Sequence, residues 1–330
     1  MDCPTSLALT LAVIICTRNR PDDLARCLDS LAAQTRPADE VWVVDASEEP
    51  VAVGATGRSP LHVVHTTPGL PAQRNLGLRQ TQADVVAFFD DDVELEPDYL
   101  AALLAAYERH WAAGVGGICG STPGWRQSSE GAAWLKQVFG LTHVLAVGDR
   151  IRVLRSLGVI WIVQCLYEIP AEALPGHCMS FRRAALADAG IWFDETLGGY
   201  ADGEDLDVSL RLGRLHPLYQ IPDARIVHHR SRAERAHMRR RFMTRTRNER
   251  YLHRKLMPRT LRNRLAFAWS TIGRLIIAAS VGLKHRTPAP VQGVLDGLRE
   301  GKSAERSTLP HPPTPANPPA GPEARRGPAR

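Results

Sequence analysis

Through the first hundred residues, short apolar runs of strand length alternate with segments of helical period, and that alternation leaves few architectures open. Residues 9–16 form an apolar, β-branched run. Pro21-Asp22-Asp23 then opens a helix with Leu24, Cys27, Leu28 and Leu31 at helical spacing. Residues 41–44 and 61–64 supply two further strands, and residues 72–78 a helix. Residues 85–89 form a fourth strand, which runs directly into Asp90-Asp91-Asp92. Residues 100–111 return to helical period, with Leu100, Leu103, Leu104 and Tyr107 on one face. Continuous apolar strands separated by helices predict an α/β fold with a mostly parallel sheet covered on both faces. Ligands of such sheets sit beyond the carboxyl ends of the strands, where Thr17, Asp45 and Asp90 all stand.

Residues 120–175 lack clear alternation and read as a variable insertion; order returns over 176–214, with a helix starting near Gly203-Glu204-Asp205. Residues 228–264 carry 14 Lys and Arg against only Glu234 and Glu249, so the chain's net charge of +6 is a local excess. Beyond residue 287, Pro, Ala, Gly and charge dominate and predict a disordered tail over 287–330. A chain of 330 residues at 44% hydrophobic can bury a sizeable core, which excludes wholesale disorder. Six cysteines without a C-x-x-C pair exclude a disulfide scaffold, argue against a cysteine zinc site and fit a reducing, cytosolic compartment. Residues 7–16 have no basic residue before them and no small-residue cleavage site after them. They are expected to be a buried strand, not a signal sequence.

Two acidic clusters carry the chemistry. Adjacent carboxylates repel, so Asp90-Asp91-Asp92 at the end of a buried strand needs a cation or hydrogen-bond donors to compensate. Alternate residues of an extended segment share a side, which pairs Asp90 with Asp92. Such hard oxygen ligands suit Mg²⁺ or Mn²⁺; the other reading is a solvated acidic turn. In Glu204-Asp205, either carboxylate caps the helix or serves as a general base. His228 and His229 follow an apolar stretch and are either structural or able to complete a metal site. Arg74-Asn75-x-Gly77 offers Arg74 as a phosphate contact or as a surface helix residue.

Together these segments resemble the family 2 glycosyltransferases of the GT-A fold. Ile14-Ile15-Cys16-Thr17-Arg18-Asn19-Arg20 is similar to the family's first strand and nucleotide loop. Leu24-x-x-Cys27-Leu28-x-Ser30-Leu31-x-x-Gln34 is similar to the helix that follows, and Glu40-Val41-Trp42-Val43-Val44-Asp45-Ala46-Ser47 to the second strand. Arg74-Asn75-x-Gly77 and Phe88-Phe89-Asp90-Asp91-Asp92 resemble the approach to the D-x-D motif. Gly176-x-x-Met179-x-Phe181-Arg182-Arg183, Gly190-x-x-Phe193-Asp194-Glu195 and Glu204-Asp205-x-Asp207-x-x-x-Arg211 resemble the acceptor loop and base segment. The match covers about residues 9–230.

The resemblance implies an inverting, metal-dependent transfer from a nucleotide-diphosphate sugar to a glycan or lipid-linked acceptor in cell-surface polysaccharide biosynthesis. It implies Asp205 as base, with Glu204 next in line. It further implies a Mn²⁺ or Mg²⁺ site from Asp90, Asp92 and His228, with His229 as fallback. Nucleotide-sugar contacts would come from Thr17, Arg18, Asp45, Arg74, Asn75, Asp90 and Asp91. The Q-x-x-R-W signature of processive synthases is absent, which implies single-sugar transfer. The implied domains are a catalytic unit over 1–230, a basic, membrane-proximal helical extension over 231–286 and the tail. Among the basic residues only Phe242 and Tyr251 are aromatic, which argues against a nucleic-acid surface and for attraction to an anionic membrane. Residues 265–283 are apolar, but Arg274 at the centre of a span would cost about 2.5–3.5 kcal/mol, so peripheral attachment at the cytoplasmic membrane face is expected. Two rivals remain: a sugar-phosphate nucleotidyltransferase, whose usual Gly-rich loop is missing from residues 16–21, and a non-catalytic nucleic-acid-binding protein.

Overall fold

The computed structural model describes residues 8–53, 57–125, 130–197, 202–229 and 238–303. Its first half follows the alternation of the sequence. Strand β1 (Leu11–Thr17), helix α1 (Pro21–Ala32), β2 (Glu40–Asp45), β3 (Leu61–His65), α2 (Leu70–Gln80) and β4 (Val85–Asp90) come in order. The short β5 (Val93–Leu95) and α3 (Tyr99–His110) follow. β1 runs parallel between β2 and β4, with Ile14 opposite both Trp42 and Phe88. β3 lies parallel outside β2. Buried along nearly their whole length, β1 and β4 can carry unbroken apolar runs. Helix α2 presses on β1 at Gly77, where a Cβ would fall 2.6 Å from Ile14 Cγ2. The glycine of Arg74-Asn75-x-Gly77 therefore allows a close approach that carries Arg74 inward.

The second half completes the sheet from distant pieces. They are β6 (Gly117–Ser121), α4 (Glu130–Val138), β7 (His143–Val147), β8 (Arg152–Val153), β9 (Val159–Gln164) and β10 (Ile169–Ala171). Then come β11 (Met179–Arg182), α5 (Arg183–Asp188), α6 (Glu204–Gly213) and β12 (Leu218–His228). The strand order is β10-β12-β6-β11-β4-β1-β2-β3, and six of these eight strands point one way, with β11 and β10 reversed. The mostly parallel α/β sheet of the sequence reading is thus present. The segment over 120–175 contains the end of β6, α4, a separate three-stranded sheet in the order β7-β9-β8, and β10. β6 is Gly-Ile-Cys-Gly-Ser and wholly buried, so it has no alternation to read. At the far end of β12 the chain turns against β5, with His228 opposite Val93.

Three helices close the described chain: α7 (Met238–Leu256), α8 (Leu261–His285) and α9 (Ala289–Ser303). The basic α7 is built into the body. Leu252 and Leu256 join the main core, and Lys255 pairs with Asp194 at 2.6 Å and with Asp207 of α6 at 2.9 Å. The expected disordered tail starts later than residue 287, because 289–303 are helical and pack along α7. Gly293 and Gly297, one turn apart, make this possible. A Cβ on either would fall 2.3 Å from Arg239 O or 2.5 Å from Met243 O, so the helices touch backbone to backbone. The Pro and Gly content that suggests disorder instead opens a helix (Pro288, Pro290) and flattens its face. Residues 304–330 of the expected tail lie outside the described residues.

Candidate active site

Thr17, Asp45, Asp90 and His228 end β1, β2, β4 and β12, four co-directional strands, so one edge of the sheet collects them. Asp90, Asp92 and His228 each bring a ligand atom within 4.8 Å of the others. The β5–β12 pairing causes this, since it lays the last residue of β12 beside the segment that follows the aspartates. His228 Nε2 is 3.1 Å from Asp92 Oδ1, while its Nδ1 is buried without a hydrogen-bond partner. Two hard carboxylates and one imidazole, whose Nδ1 has no hydrogen-bond partner among the described residues, form a donor set that fits Mn²⁺ or Mg²⁺.

Asp91, in the two-residue turn between β4 and β5, faces the other way. It accepts hydrogen bonds from Thr17 Oγ1 at 2.8 Å and Arg20 Nη1 at 3.1 Å. Burial pushes its carboxyl up to about 6 against the pull of Arg20 and Thr17. His229 is also turned away: its ring lies 3.0 Å from Glu94 Oε2, and it is not among the clustered ligands. Adjacent residues of a strand point to opposite sides, so only one of the two histidines can join Asp92.

Arg74 joins the two acidic clusters. It is almost fully buried and donates from Nη1 to Glu204 Oε1 at 2.6 Å. Its Nη2 donates to Asp90 Oδ1 at 3.2 Å and to Gly176 O at 3.1 Å. Burial and the neighbouring Asp205 push the Glu204 carboxyl up, and the Arg74 guanidinium pulls it back. Asp205 is partly buried in the first turn of α6; its Oδ2 accepts from Gly176 N at 2.9 Å and its Oδ1 from Leu206 N at 2.8 Å. Burial raises this carboxyl as well, with Arg74 opposing. Of the pair, Glu204 is committed to a buried counter-ion and Asp205 is the more accessible.

The remaining candidates divide between the site and its framework. Arg18 is exposed, 3.9 Å from Glu48. Asp45 is sealed from solvent; its oxygens accept from Ser47 N at 2.8 Å and Val51 N at 2.9 Å, with His65 at 3.4 Å. Burial would raise its carboxyl, but these hydrogen bonds outweigh it and hold it below its usual range. It orders the 45–51 loop, and its carboxylate faces that loop's backbone. Asn75 behaves similarly: Nδ2 donates to Phe193 O at 2.9 Å and Glu195 Oε1 at 2.8 Å, and Oδ1 accepts from Phe193 N at 2.9 Å. It holds the 193–195 segment beneath Arg74, whose guanidinium lies 5.5 Å from the Phe193 ring centroid.

The sequence reading passes over His177 and Thr122. The His177 ring stacks on His228 with centroids 4.7 Å apart and planes 24° apart. Its Nε2 is 2.9 Å from Thr122 Oγ1, and the edge of Trp125 packs 5.0 Å away. His177 falls on an unspecified position of Gly176-x-x-Met179, so no spacing marks it. The adjacent Gly176 touches Arg74 and Asp205, so this short loop contacts both the metal-ligating cluster and the Glu204–Asp205 pair.

Comparison with known proteins finds that residues 12–141 match the family model for glycosyl transferase family 2. A glucosyl-dolichyl phosphate glucuronosyltransferase of Haloferax volcanii is 32% identical over 126 residues, which make up 36% of this chain and 40% of that protein. An uncharacterised glycosyltransferase of Haemophilus influenzae is 32% identical over 103 residues, 30% of this chain and 35% of that one. The chain thus spans less than half the length of either relative. Among solved structures, GalNAc-T7 with UDP, GalNAc and Mn²⁺ gives a TM-score of 0.49 at 16% identity, covering 67% of this chain and 43% of that chain. S. aureus TarS 1–349 gives 0.46 at 16% identity, covering 90% and 92%.

Proposed function

We propose that the chain, whose residues 12–141 match the family model for glycosyl transferase family 2, is an inverting glycosyltransferase that moves one sugar from a nucleotide diphosphate to a glycan or lipid-linked acceptor. The observation that carries this reading is Arg74, which ties the Asp90 cluster to Glu204 and, through Gly176, to Asp205. A leaving-group side and a proton-accepting side are thereby held within one arginine's reach.

In this reading Asp90, Asp92 and His228 hold a divalent cation, Mn²⁺ or Mg²⁺. When bound, such an ion offsets the charge that grows on the diphosphate as the sugar bond breaks. Asp205 accepts the proton of the attacking hydroxyl at a carboxylate oxygen, and the Gly176 N–H fixes that carboxylate's orientation. Arg74 holds Glu204 in place and opposes the upward push of burial on its carboxyl. Thr17, Arg18 and Asp91 line the nucleotide side, with Asp45 and Asn75 supporting the loops around it. In the same reading the transferase unit spans residues 1–230, and the basic and apolar helices beyond it support a reaction at the cytoplasmic face of a membrane, in cell-surface polysaccharide assembly.

The test is a panel of UDP-, GDP- and dTDP-sugars assayed for Mn²⁺-dependent transfer or donor hydrolysis. Asp92→Asn and Asp205→Asn should each lower turnover by about a hundredfold or more while the thermal transition stays within a few degrees. Wild-type turnover in Asp92→Asn would overturn the reading, and wild-type turnover in Asp205→Asn would overturn the base.

A further inference from the structure

Helix α8 is packed inside out. Its buried face consists of small or polar residues, Ser270, Gly273, Ala278 and Gly282, whereas Leu265, Trp269, Ile272 and Ile276 are exposed. These four recur at i, i+4, i+7 and i+11, so they form one stripe. Gly273 lets α8 sit close on α4, since a Cβ there would fall 2.3 Å from Phe139 Cβ. Trp269 Nε1 donates to Val138 O at 2.8 Å, which joins the stripe to exposed Val138 and, one turn earlier on α4, Trp134. The result is a two-helix apolar plate that the rest of the described chain leaves uncovered.

Charge identifies what covers it. No Asp or Glu occurs between Glu249 and Asp296. Arg262 and Arg264 are exposed at one end of the stripe, and Lys284 and Arg286 at the other. Two copies meeting face to face would bring these cations together with no carboxylate on α8 to neutralise them. An anionic lipid surface accepts both the apolar stripe and its cationic ends.

By length and composition α8 could also cross a bilayer. Its inner face, however, is held along the protein. Arg274 points inward and forms an ion pair with Glu249 of α7 at 2.5 Å, and α4 and α9 flank the helix. The arginine that would obstruct a span is therefore a tether to the body of the enzyme.

We infer that the α4–α8 plate is a docking surface for anionic lipid, on which α8 lies in the plane of the membrane. The inference rests on the proposed reading insofar as that reading places transfer at a membrane, and it can fail separately. Full-length protein is floated with vesicles of phosphatidylglycerol and phosphatidylethanolamine, or of phosphatidylcholine alone. Wild type should float with the anionic vesicles and be stripped by alkaline carbonate. Leu265→Glu/Ile272→Glu should lower partitioning by about tenfold per side chain. Arg262→Glu/Arg264→Glu should lower it by about fivefold per residue and flatten its salt dependence. Both variants alter exposed positions and should keep donor hydrolysis, whereas Asp92→Asn should float as wild type does. Unchanged flotation of Leu265→Glu/Ile272→Glu would overturn the inference. So would carbonate-resistant insertion, or a wild-type dimer that this variant converts to monomer without any vesicle binding.

Discussion

Replacing Arg74 with Met leaves Glu204 buried and without its counter-ion. The 2.6 Å contact between guanidinium and carboxylate is a charge pair, and the Glu204 side chain is only 7% exposed. Asp90, 35% exposed, can hydrate when the arginine is lost, and Gly176 gives up one acceptor bond. With Arg74 in place the Glu204 carboxyl is already pushed up to about 8, so both native proteins hold its proton below that pH, and the Met variant keeps it above. The deficit is therefore about 1–2 kcal/mol of lost hydrogen bonds up to pH 7, and it grows by about 1.36 kcal/mol per unit as pH rises past about 8, where wild type ionises. Urea unfolding should show a loss of about 1–2 kcal/mol at pH 7 and about 2–3 kcal/mol at pH 9. Arg74→Met/Glu204→Gln should recover the part that appears above about pH 8. A deficit unchanged between about pH 7 and 9, or a double variant no better than the single at about pH 9, would refute the assignment of Arg74 as the counter-ion of Glu204.

Two further outcomes follow from contacts around the site. His177→Ala should weaken Mn²⁺ binding by about tenfold in an EPR titration, since partners behind a metal ligand commonly contribute that much. His177→Phe, which keeps a ring face on His228, should stay near wild type; equal affinity in the Ala variant would remove His177 from any positioning role. At Asp194, burial is outweighed by hydrogen bonds from Lys255, Thr196 and Tyr251, which hold the carboxyl at about 2. Its stabilisation is complete above the ordinary value and is lost as pH falls through about 2. Asp194→Asn should therefore unfold about 1–2 kcal/mol more easily at pH 7, allowing for partial exposure, with the gap closing between about pH 4 and 2.

What the sequence makes legible is what local periodicity controls. β1, β2, β4, α1 and α3 can be read because buried parallel strands and amphipathic helices impose their spacing on neighbouring residues. The opposed facing of Asp91 and Asp92 is set by the two-residue turn between β4 and β5, which no strand period announces. Pairings between distant segments are less visible. Nothing in residues 93–95 announces a strand, yet β5 decides that His228, and not His229, meets Asp92. Met179–Arg182 resembles a loop segment but enters the sheet as the reversed strand β11. Arg74 and Asn75 can be picked out as polar residues in a motif. Their partners, Glu204 and Phe193, lie more than a hundred residues away, so the motif alone suggests nucleotide contacts where the fold builds internal struts. The Arg-rich composition of α7 hides its docking face, because Leu252, Leu256 and the Lys255 ion pairs are few among many arginines.

The late arrival of β12 has a consequence for biosynthesis. β12 neighbours β10 and pairs with β5, and it brings His228 to Asp92 from the far side of two intervening strands. A nascent polypeptide halted on the ribosome before residue 218 would present its three aspartates with no imidazole opposite them. Long-range closure of this kind is slow compared with local folding. On the proposed reading, competence to hold an ion is thus deferred until translation has passed the last strand.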